Sequence, residues 1–310
     1  MTAVKSEAKS ERPGQAIGSP APAQQAPDQK PGGTAKPSTG GGGVVQAVGI
    51  AVTLLGALVL GFVGYVYFLS GVQEARTQTT MYASLRGELA KGVAPLAPTV
   101  PGNPVAILNI PAVGLHNVVV VEGTSPENLT RGPGHLRDTS LPGQTGLAVL
   151  YGRRATFGAP FSRVTQLRPG DKILVTTGQG TATYKVKLTG DSRTRILINP
   201  AVNQLMLLTA DSAIVPSHYI EVDANLISKP QPNPQGRPGV SPSEIALGND
   251  PNALTLAMVW GLALVVVSAA GTIAAVRWAR WPTYIAVVPI ALVVIVNLYQ
   301  NLAALLPNIN

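Results

Sequence analysis

The side chains that chemistry at neutral pH relies on are scarce in this sequence, which has three histidines and no cysteine. The missing cysteines remove disulfides, thiolate metal sites and every thiol nucleophile. A hydroxyl nucleophile remains as an option: Ser212 precedes His218 by six residues, and His135 lies further upstream. Asp211 or Asp223 would orient the imidazole in a Ser-His-Asp arrangement that transfers acyl groups. No Gly-x-Ser-x-Gly elbow surrounds Ser212, so no known nucleophile turn supports this site.

Metal and cofactor chemistry finds no support in the residue pattern. The acidic side chains are scattered, and none follow the alternating spacing of a calcium loop. The three histidines are too far apart in the chain to suggest a zinc site. The glycine run at 40–43 lacks the Lys-Ser/Thr of a phosphate loop. We therefore predict no metal and no cofactor.

The composition is typical of a membrane protein. Hydrophobic residues make up 45% of the chain and charged residues only 12%, and the apolar residues are concentrated in three long runs. The net charge of +8 comes without a Lys/Arg-rich stripe or interleaved aromatic residues, so we predict no nucleic-acid binding. Membrane lipid or an anionic cell-wall polymer accounts for the basic balance better.

The positions of the apolar runs and the proline-rich stretches divide the chain into segments. We predict a disordered cytoplasmic tail at 1–43, a transmembrane helix at 44–69, an extracytoplasmic stalk at 70–104, a folded domain at 105–228, a Pro-rich linker at 229–252, and transmembrane helices at 253–276 and 284–306 joined by a loop at 277–283. The prolines at both ends of the folded domain predict semi-rigid spacers.

The basic residues predict the orientation of these spans. Arg277 and Arg280 lie in the short loop between the second and third spans, which marks that loop as cytoplasmic. The tail before the first span is basic as well. The N-terminus is therefore expected inside, the folded domain outside and the C-terminus outside.

One face of the third span is polar. Asn297 and Asn301 are four residues apart, with Gln300 close by, and unpaired amides are costly in lipid. Two explanations remain open: these amides bond to a neighbouring helix of this protein, or to a partner membrane protein.

The folded domain reads as short β-strands separated by Gly, Pro and Asp turns. The predicted strands are 106–110, 117–121, 146–151, 172–177, 182–189, 204–209 and 218–226. Helical periodicity of any length is missing. The fold class we predict is mainly β, a closed or nearly closed barrel outside the membrane with three transmembrane helices, one before it and a hairpin after it.

Six short segments in this domain resemble the sortase family, in the form found in actinobacterial membrane sortases. They are Ile110–Leu115 (IPAVGL), Val121–Thr124 (VEGT), Gly132–His135 (GPGH), Leu141–Gln144 (LPGQ), Thr156–Phe161 (TFGAPF) and Leu167–Asp171 (LRPGD), in the family's order and spacing. The resemblance implies a sortase barrel and an extracytoplasmic transpeptidase that cleaves a Leu-Pro-x-Thr-Gly-like signal through a thioester. That reaction needs a Cys nucleophile, a His that moves protons and an Arg that stabilises the oxyanion.

All three of these residues are replaced here. Arg153 stands where the resemblance places the His, after a glycine and before the TFGAPF segment. Ala210 follows Leu-Met-Leu-Leu-Thr where the Cys is expected, and Tyr219 falls at the Arg position when Val222-Asp223-Ala224 is aligned with the family's strand ending. Alanine has no reactive atom, and an arginine is a poor proton shuttle because it stays protonated.

These replacements predict a pseudoenzyme in the plasma membrane of a Gram-positive-type bacterium that binds or scaffolds a cell-envelope protein or peptide. The residues expected at its binding groove are Arg153, Arg154, Tyr219 and His135. His135 is expected chiefly to hold its own loop, and Arg153 and Tyr219 have the alternative of merely filling space. Two alternatives remain for the whole chain: a hydrolase or transpeptidase that uses Ser212 or another hydroxyl, and a structural subunit of an envelope complex.

Overall fold

We describe the protein from a computed structural model, which covers residues 42–97, 99–192, 203–213, 216–233, 236–277 and 280–310. The chain divides into two units, residues 1–51 and 52–310, and every contact given below lies within the second. The predicted cytoplasmic tail at 1–43 falls outside the described residues, except for its last two glycines, which begin the first helix.

Helices flank the folded domain on both sides in sequence. Helix α1 (Gly42–Gly64) continues through a π-helical turn (Tyr65–Leu69) into α2 (Ser70–Lys91), and α3 (Asn252–Arg277) and α4 (Arg280–Ala304) follow the domain. Within the described ranges, three helical stretches are long and apolar enough to cross a membrane, namely Val48–Lys91, Asn252–Arg277 and Trp281–Ala304. The predicted arrangement of one such helix before the domain and two after it is confirmed.

The loop predicted at 277–283 is largely helical. Helix α4 already begins at Arg280, so its first turn includes Pro282. A proline is tolerated there because the first-turn N–H groups have no partner within the helix.

The folded domain is a closed eight-stranded barrel, as predicted, with the strand order β1-β2-β3-β4-β7-β8-β6-β5. The strands are β1 Pro104–Ile110, β2 Leu115–Glu122, β3 Gly134–His135, β4 Leu147–Tyr151, β5 Lys172–Thr177, β6 Gly180–Asp191, β7 Gln204–Ala210 and β8 Tyr219–Leu226. Because the barrel is closed, the backbone N–H and C=O groups that an open sheet would leave unpaired at its edges form hydrogen bonds between strands. The two-residue strand β3 was not predicted, since it is too short to show an alternating pattern.

The barrel core is built from aliphatic side chains that point inward from opposite strands. Its fully buried members include Val105, Leu108, Ile110, Leu150, Ile173, Val175, Leu205 and Leu207. Strand β7 is buried along its whole length, which makes it the central support of the site described below.

The segment predicted as a stalk packs against the barrel instead. Leu85 of α2 is completely buried in a cluster with Ile107 of β1 and Val119 of β2. The amide of Gln78 pairs with the backbone of Val119 in both directions, donating from Nε2 (3.0 Å) and accepting at Oε1 (2.7 Å). Burial of apolar side chains outweighs the freedom of an extended spacer here.

The Pro-rich linker also lies on the barrel rather than standing free of it. Arg137 donates two hydrogen bonds to the carboxylate of Glu244, at 2.9 and 3.1 Å. Glu244 also completes a capping box with Ser241 at the short 3-10 turn Pro242–Glu244. The linker therefore forms a fixed wall beside the barrel.

The polar face of α4 is satisfied mainly within the helix itself. Asn297 and Asn301 donate their side-chain amides at 2.8 Å to the carbonyl oxygens of Val293 and Asn297, one turn earlier. These two donors therefore bond within α4, whereas Gln300 on the same face bonds to the side chain of Tyr65 in the π-helical turn. A contact with a second protein stays a prediction. The link to α1 comes from Tyr299, whose hydroxyl donates to the Leu58 carbonyl at 2.7 Å.

Candidate functional site

The three replaced positions lie close together where β4 and β7 end and β8 begins. Ala210 is the last residue of β7 and pairs with Tyr219, the first residue of β8. Arg153 follows β4, which runs parallel to β7. The intervening Gly152 is tied to β7 at both backbone groups: its N–H donates to Leu208 (3.0 Å), and its carbonyl accepts from the Thr209 hydroxyl (2.9 Å). The fold thus brings together Arg153 and Tyr219, which are 66 positions apart in the sequence.

Arg153 is a buried structural cation. Its side chain is 0% exposed and donates to the carbonyls of Leu129 (3.2 Å) and Pro126 (2.9 Å) and to the hydroxyl of Thr156 (3.1 Å). The guanidinium also lies 4.8 Å from the centre of the Phe157 ring. The expectation that Arg153 projects into a groove to meet a partner is therefore wrong, because its three guanidinium nitrogens donate to residues of the surrounding loops instead.

Burial affects the protonation of this arginine without making it a base at neutral pH. Desolvation lowers the pKa of Arg153 to about 9. Among the described residues no carboxylate lies within ion-pair distance of it, so only neutral oxygens and the aromatic face stabilise the charge. A guanidinium with that pKa remains protonated at pH 7 and has no lone pair to accept a proton.

Ala210 lies in an apolar environment. It is 0% exposed and belongs to a cluster with Tyr151, Met206 and Leu208 of the neighbouring strands. Tyr219 packs against the same cluster and is only partly buried. The methyl group of Ala210 has no reactive atom, and the neutral phenol of Tyr219 cannot replace a charged oxyanion clamp.

This apolar cluster also contains Ile309, which comes from the far end of the chain. Residues 305–310, which follow α4 and which we call the docked segment, lie against the loop that follows β4. The backbone N–H of Arg154 donates to the carbonyl of Ile309 at 3.1 Å, and the hydroxyl of Thr156 donates to the main-chain oxygen of Asn310 at 2.7 Å. Ile309 is 0% exposed.

Asn308 anchors the docked segment on its other side. Its backbone N–H donates to Gly248 (2.9 Å), and its side-chain amide donates to the carbonyls of Thr124 (2.9 Å) and Ile245 (2.9 Å), with a longer contact to Ser243 (3.4 Å). We call the surface made by these partners the docking groove. Its residues are Thr124, Arg154, Thr156, Ser243, Ile245 and Gly248.

The loop that carries Arg153 is strained and clamped by α2. Phe157 and Ala159 adopt positive φ angles of 49° and 47°, a conformation that costs a non-glycine residue about 1–2 kcal/mol. The N–H of Phe157 donates to the hydroxyl of Ser70 at 3.0 Å. Gly158 has a positive φ of 73°, which favours glycine, and a Cβ there would require the Glu74 carboxylate of α2 to shift. The first membrane-length helix is therefore in direct contact with the site.

His135 holds its own loop from a buried position. It is 0% exposed, its Nε2 lies 2.9 Å from the carbonyl oxygen of Ser140, and its Nδ1 lies 3.4 Å from the carboxylate of Glu122. Because a carbonyl only accepts, Nε2 carries a proton in this arrangement. The placement of His135 in a binding groove is therefore wrong.

His218 lies between two carboxylates at the connection from β7 to β8. Its Nε2 is 3.0 Å from Asp191, and its Nδ1 is 3.0 Å from Asp211. Desolvation alone would raise the pKa of Asp211, but hydrogen bonds from the backbone N–H groups of Ser217 and His218 outweigh it and lower the pKa. A general base for Ser212 needs a ring nitrogen that accepts the serine proton, but Nε2 faces Asp191 and Nδ1 faces Asp211 and the Ser217 hydroxyl, which lies 2.9 Å away.

The other carboxylate considered for that site faces elsewhere. Asp223 lies in β8, where the Lys187 ammonium is 3.5 Å from it. Within the described ranges no group of three or more metal-ligating His, Asp or Glu side chains converges.

Sequence reasoning missed the docked segment altogether. A readable signal was present: Leu306-Pro307-Asn308-Ile309 has the Leu-Pro-x order of the sorting signals that the family resemblance implies. Its first two residues, Leu305 and Leu306, were predicted to end the third transmembrane helix because they continue the apolar run, and residues 307–310 were assigned no role.

Comparison with known proteins gives the same family throughout. A sortase domain model matches residues 108–217. Sortase D of Bacillus subtilis (strain 168) is 32% identical over 111 residues, covering 35% of this chain and 54% of that protein. Sortase SrtE1 of Streptomyces coelicolor is 31% identical over 170 residues, covering 53% of this chain and 46% of that protein. This chain thus spans about half the length of these curated relatives.

A solved structure of sortase E from Streptomyces avermitilis is 32% identical, covers 42% of this chain and 91% of that one, and superposes with a TM-score of 0.37. The motif order, the domain match and the sequence identity to sortases of two types agree with one another. The chain belongs to the sortase family.

Proposed function

We propose that this protein is a membrane-anchored sortase relative that no longer catalyses transpeptidation and instead binds or scaffolds a protein of the cell envelope. The observation that carries the proposal is the set of residues at the meeting ends of β4, β7 and β8. A buried arginine, an alanine and a tyrosine stand at the three positions that the family's chemistry requires. Together they offer no nucleophile, no proton shuttle and no charged clamp.

The proposed location is the plasma membrane of a Gram-positive-type bacterium, with membrane lipid around α1, α3 and α4. The N-terminus and the α3–α4 turn would face the cytoplasm and the barrel the envelope side. The exposed apolar side chains of the three helical stretches support insertion, and the two arginines near the hairpin turn support the orientation.

Of the residues expected to bind a partner, Arg154 and Tyr219 are the candidates that remain at the surface. Both are partly exposed; Tyr219 packs against the apolar cluster that contains Ala210, and the backbone N–H of Arg154 donates to Ile309 of the same cluster. The Arg154 guanidinium, whose Nη1 lies 3.5 Å from the Thr165 hydroxyl, and the Tyr219 phenol each supply a donor for a carboxylate or an amide-rich peptide.

A pull-down with the full chain as bait tests the binding role. We expect the double variant Arg154→Ala, Tyr219→Ala to lose envelope partners that the parent chain retains from detergent-solubilised native membranes. The exposed Arg163→Ala serves as the matched control, since it removes an arginine of the same domain away from the cluster. Identical partner sets for the double variant and the parent would contradict a role centred on this surface.

The competing function is hydrolysis or transpeptidation through a hydroxyl. Incubation of the full chain with sorting-signal peptides and an activated-serine probe distinguishes the two. We expect intact-mass spectra without an adduct and peptides that stay uncut. Labelling at Ser212 that depends on His218 would establish an enzyme and refute our proposal.

A further inference from the structure

The docked segment is held in the way a protein holds a peptide ligand. Three of its contacts use only main-chain atoms on the segment's side: the N–H of Asn308 to Gly248, the carbonyl of Ile309 to Arg154, and the main-chain oxygen of Asn310 to Thr156. The segment adopts a turn here, closed by a hydrogen bond from the Asn310 N–H to the Pro307 carbonyl at 3.2 Å, and another peptide that forms this turn can make the same bonds. The docking groove is therefore suited to turn-forming peptides and owes its further selectivity to side-chain contacts.

Two side chains supply that selectivity. The amide of Asn308 donates to two carbonyls at 2.9 Å, which a carboxylate or a hydrocarbon cannot do. Ile309 fills a closed apolar pocket with Leu129 and Leu208, in the cluster that also contains Ala210. The recognised form is thus a residue with a primary amide followed by a branched aliphatic residue.

The fit of the docked segment is incomplete. The side-chain oxygens Oδ1 of Asn308 and Asn310 are buried without a hydrogen-bond partner among the described residues, and an unpaired buried acceptor weakens an interaction. What holds the segment in addition is its connection to α4. Leu305 and Leu306 continue the helix end with bonds to Leu302 and Ala303, so the segment is kept at a high local concentration.

The groove walls, by contrast, are firmly built. Glu244, whose carbonyl accepts from the Thr124 hydroxyl (2.6 Å), is buried and paired with Arg137. The wall keeps its shape through bonds that do not involve the docked segment. A rigid site whose tethered occupant fits imperfectly can exchange that occupant for another peptide.

We propose that the docking groove is a peptide-binding site, that residues 305–310 are its built-in occupant, and that an envelope peptide with an amide residue followed by a branched aliphatic residue displaces them. This inference rests on the proposed non-catalytic binding function and names the ligand class of that site. Because the occupant is the continuation of α4, displacement frees the end of a membrane-length helix. Occupancy of the groove is thereby linked to the α3–α4 hairpin.

Fluorescence anisotropy on the full chain in detergent micelles tests this proposal. The probe is the peptide Ala-Leu-Leu-Pro-Asn-Ile-Asn, the sequence of residues 304–310, with fluorescein at its N-terminus and an amide at its C-terminus. We expect deletion of 305–310 to raise the apparent affinity for the probe at least about tenfold, because a tethered occupant at an effective concentration on the order of 1 mM competes in the parent chain. A probe with aspartate in place of Asn308 should bind the truncated chain at least about tenfold more weakly.

A second variant covers the case in which truncation harms folding. Ile309→Asp places a charge in the apolar pocket and should expel the segment at full chain length, whereas Ile227→Asp alters an isoleucine that is 54% exposed and should bind the probe as the parent does. Equal probe affinity of the parent and the two opened chains would overturn the inference while leaving the proposed function untouched. A folded, opened chain that binds no probe would overturn it as well. Cleavage of the probe would instead refute the proposed function.

Discussion

The backbone N–H of Arg154 donates a 3.1 Å hydrogen bond to the carbonyl oxygen of Ile309. Arg154 directly follows the residue that replaces the expected histidine, and Ile309 lies five residues beyond the end of α4. The bond therefore joins the site of the three replaced residues to a segment that emerges from a membrane-length helix.

The cysteine-free background allows the position of the missing nucleophile to be probed directly. Ala210→Cys would introduce the only thiol in the chain, at a site that is 0% exposed. We expect its maleimide labelling to be slower than that of Ser162→Cys, an exposed control, by on the order of 100-fold, because a buried thiol reacts only after local opening. Removal of 305–310 should accelerate labelling of Cys at 210 and leave the control unchanged.

The same variant should remain catalytically inactive. A thiol at 210 still lacks a base, since Arg153 stays protonated at neutral pH. Thioester formation with a sorting-signal peptide, detected by mass spectrometry, would show that the remaining residues suffice for the first chemical step.

Substitution of the buried arginine should destabilise the barrel. Arg153→Met leaves the carbonyls of Pro126 and Leu129 without their donor, and each unpaired buried acceptor costs about 1–3 kcal/mol. We expect a loss of about 2–4 kcal/mol, visible as a lower Tm of the full chain in detergent. The exposed Arg163→Met should unfold close to the parent. An unchanged Tm for Arg153→Met would mean that the arginine merely occupies space.

Packing of α2 on the barrel predicts a further stability effect. Leu85→Ala removes a fully buried side chain, and such a truncation costs about 2–5 kcal/mol. Leu96→Ala, at a leucine that is 47% exposed, provides the control. Equal thermal stability of the two variants would indicate that α2 stands away from the barrel as a stalk.

The wall of the docking groove should loosen in acid. Desolvation alone would raise the pKa of Glu244, but hydrogen bonds from Arg137 and from the Ser241 backbone outweigh it and lower the pKa below 4.5. A carboxyl group with a lowered folded-state pKa stabilises the fold fully above pH 4.5, and this contribution is lost as the pH falls further. We expect amide hydrogen exchange in 239–248 to accelerate below pH 4.5 once corrected for intrinsic rates.

Glu244→Gln should abolish that acid dependence, since the amide does not titrate and pairs more weakly with the guanidinium. Glu127→Gln, at an exposed glutamate, should retain it. Acid dependence that persists in Glu244→Gln would assign the effect to another group.

The sequence predicted the strand-rich domain and the long helices because both depend on local patterns. Short apolar runs such as 173–175 and 205–208 are visible without knowledge of any partner strand. The same holds for the three apolar runs. The spacers were predicted wrongly because prolines and charges in 70–104 and 229–252 report local stiffness and do not reveal which of their side chains become buried, such as Leu85 or Glu244.

By itself, the sequence determined which atoms are present: it has no sulfur to act as a nucleophile, and it has an arginine, an alanine and a tyrosine at the three key positions. Only the tertiary structure decided that Arg153 is turned inward onto its own loops and that Ile309 reaches the cluster of Ala210. The physical reason is that composition fixes chemical capability, whereas burial and hydrogen-bond partners arise from contacts between residues as far apart as 154 and 309. Such contacts leave no periodic pattern in the chain.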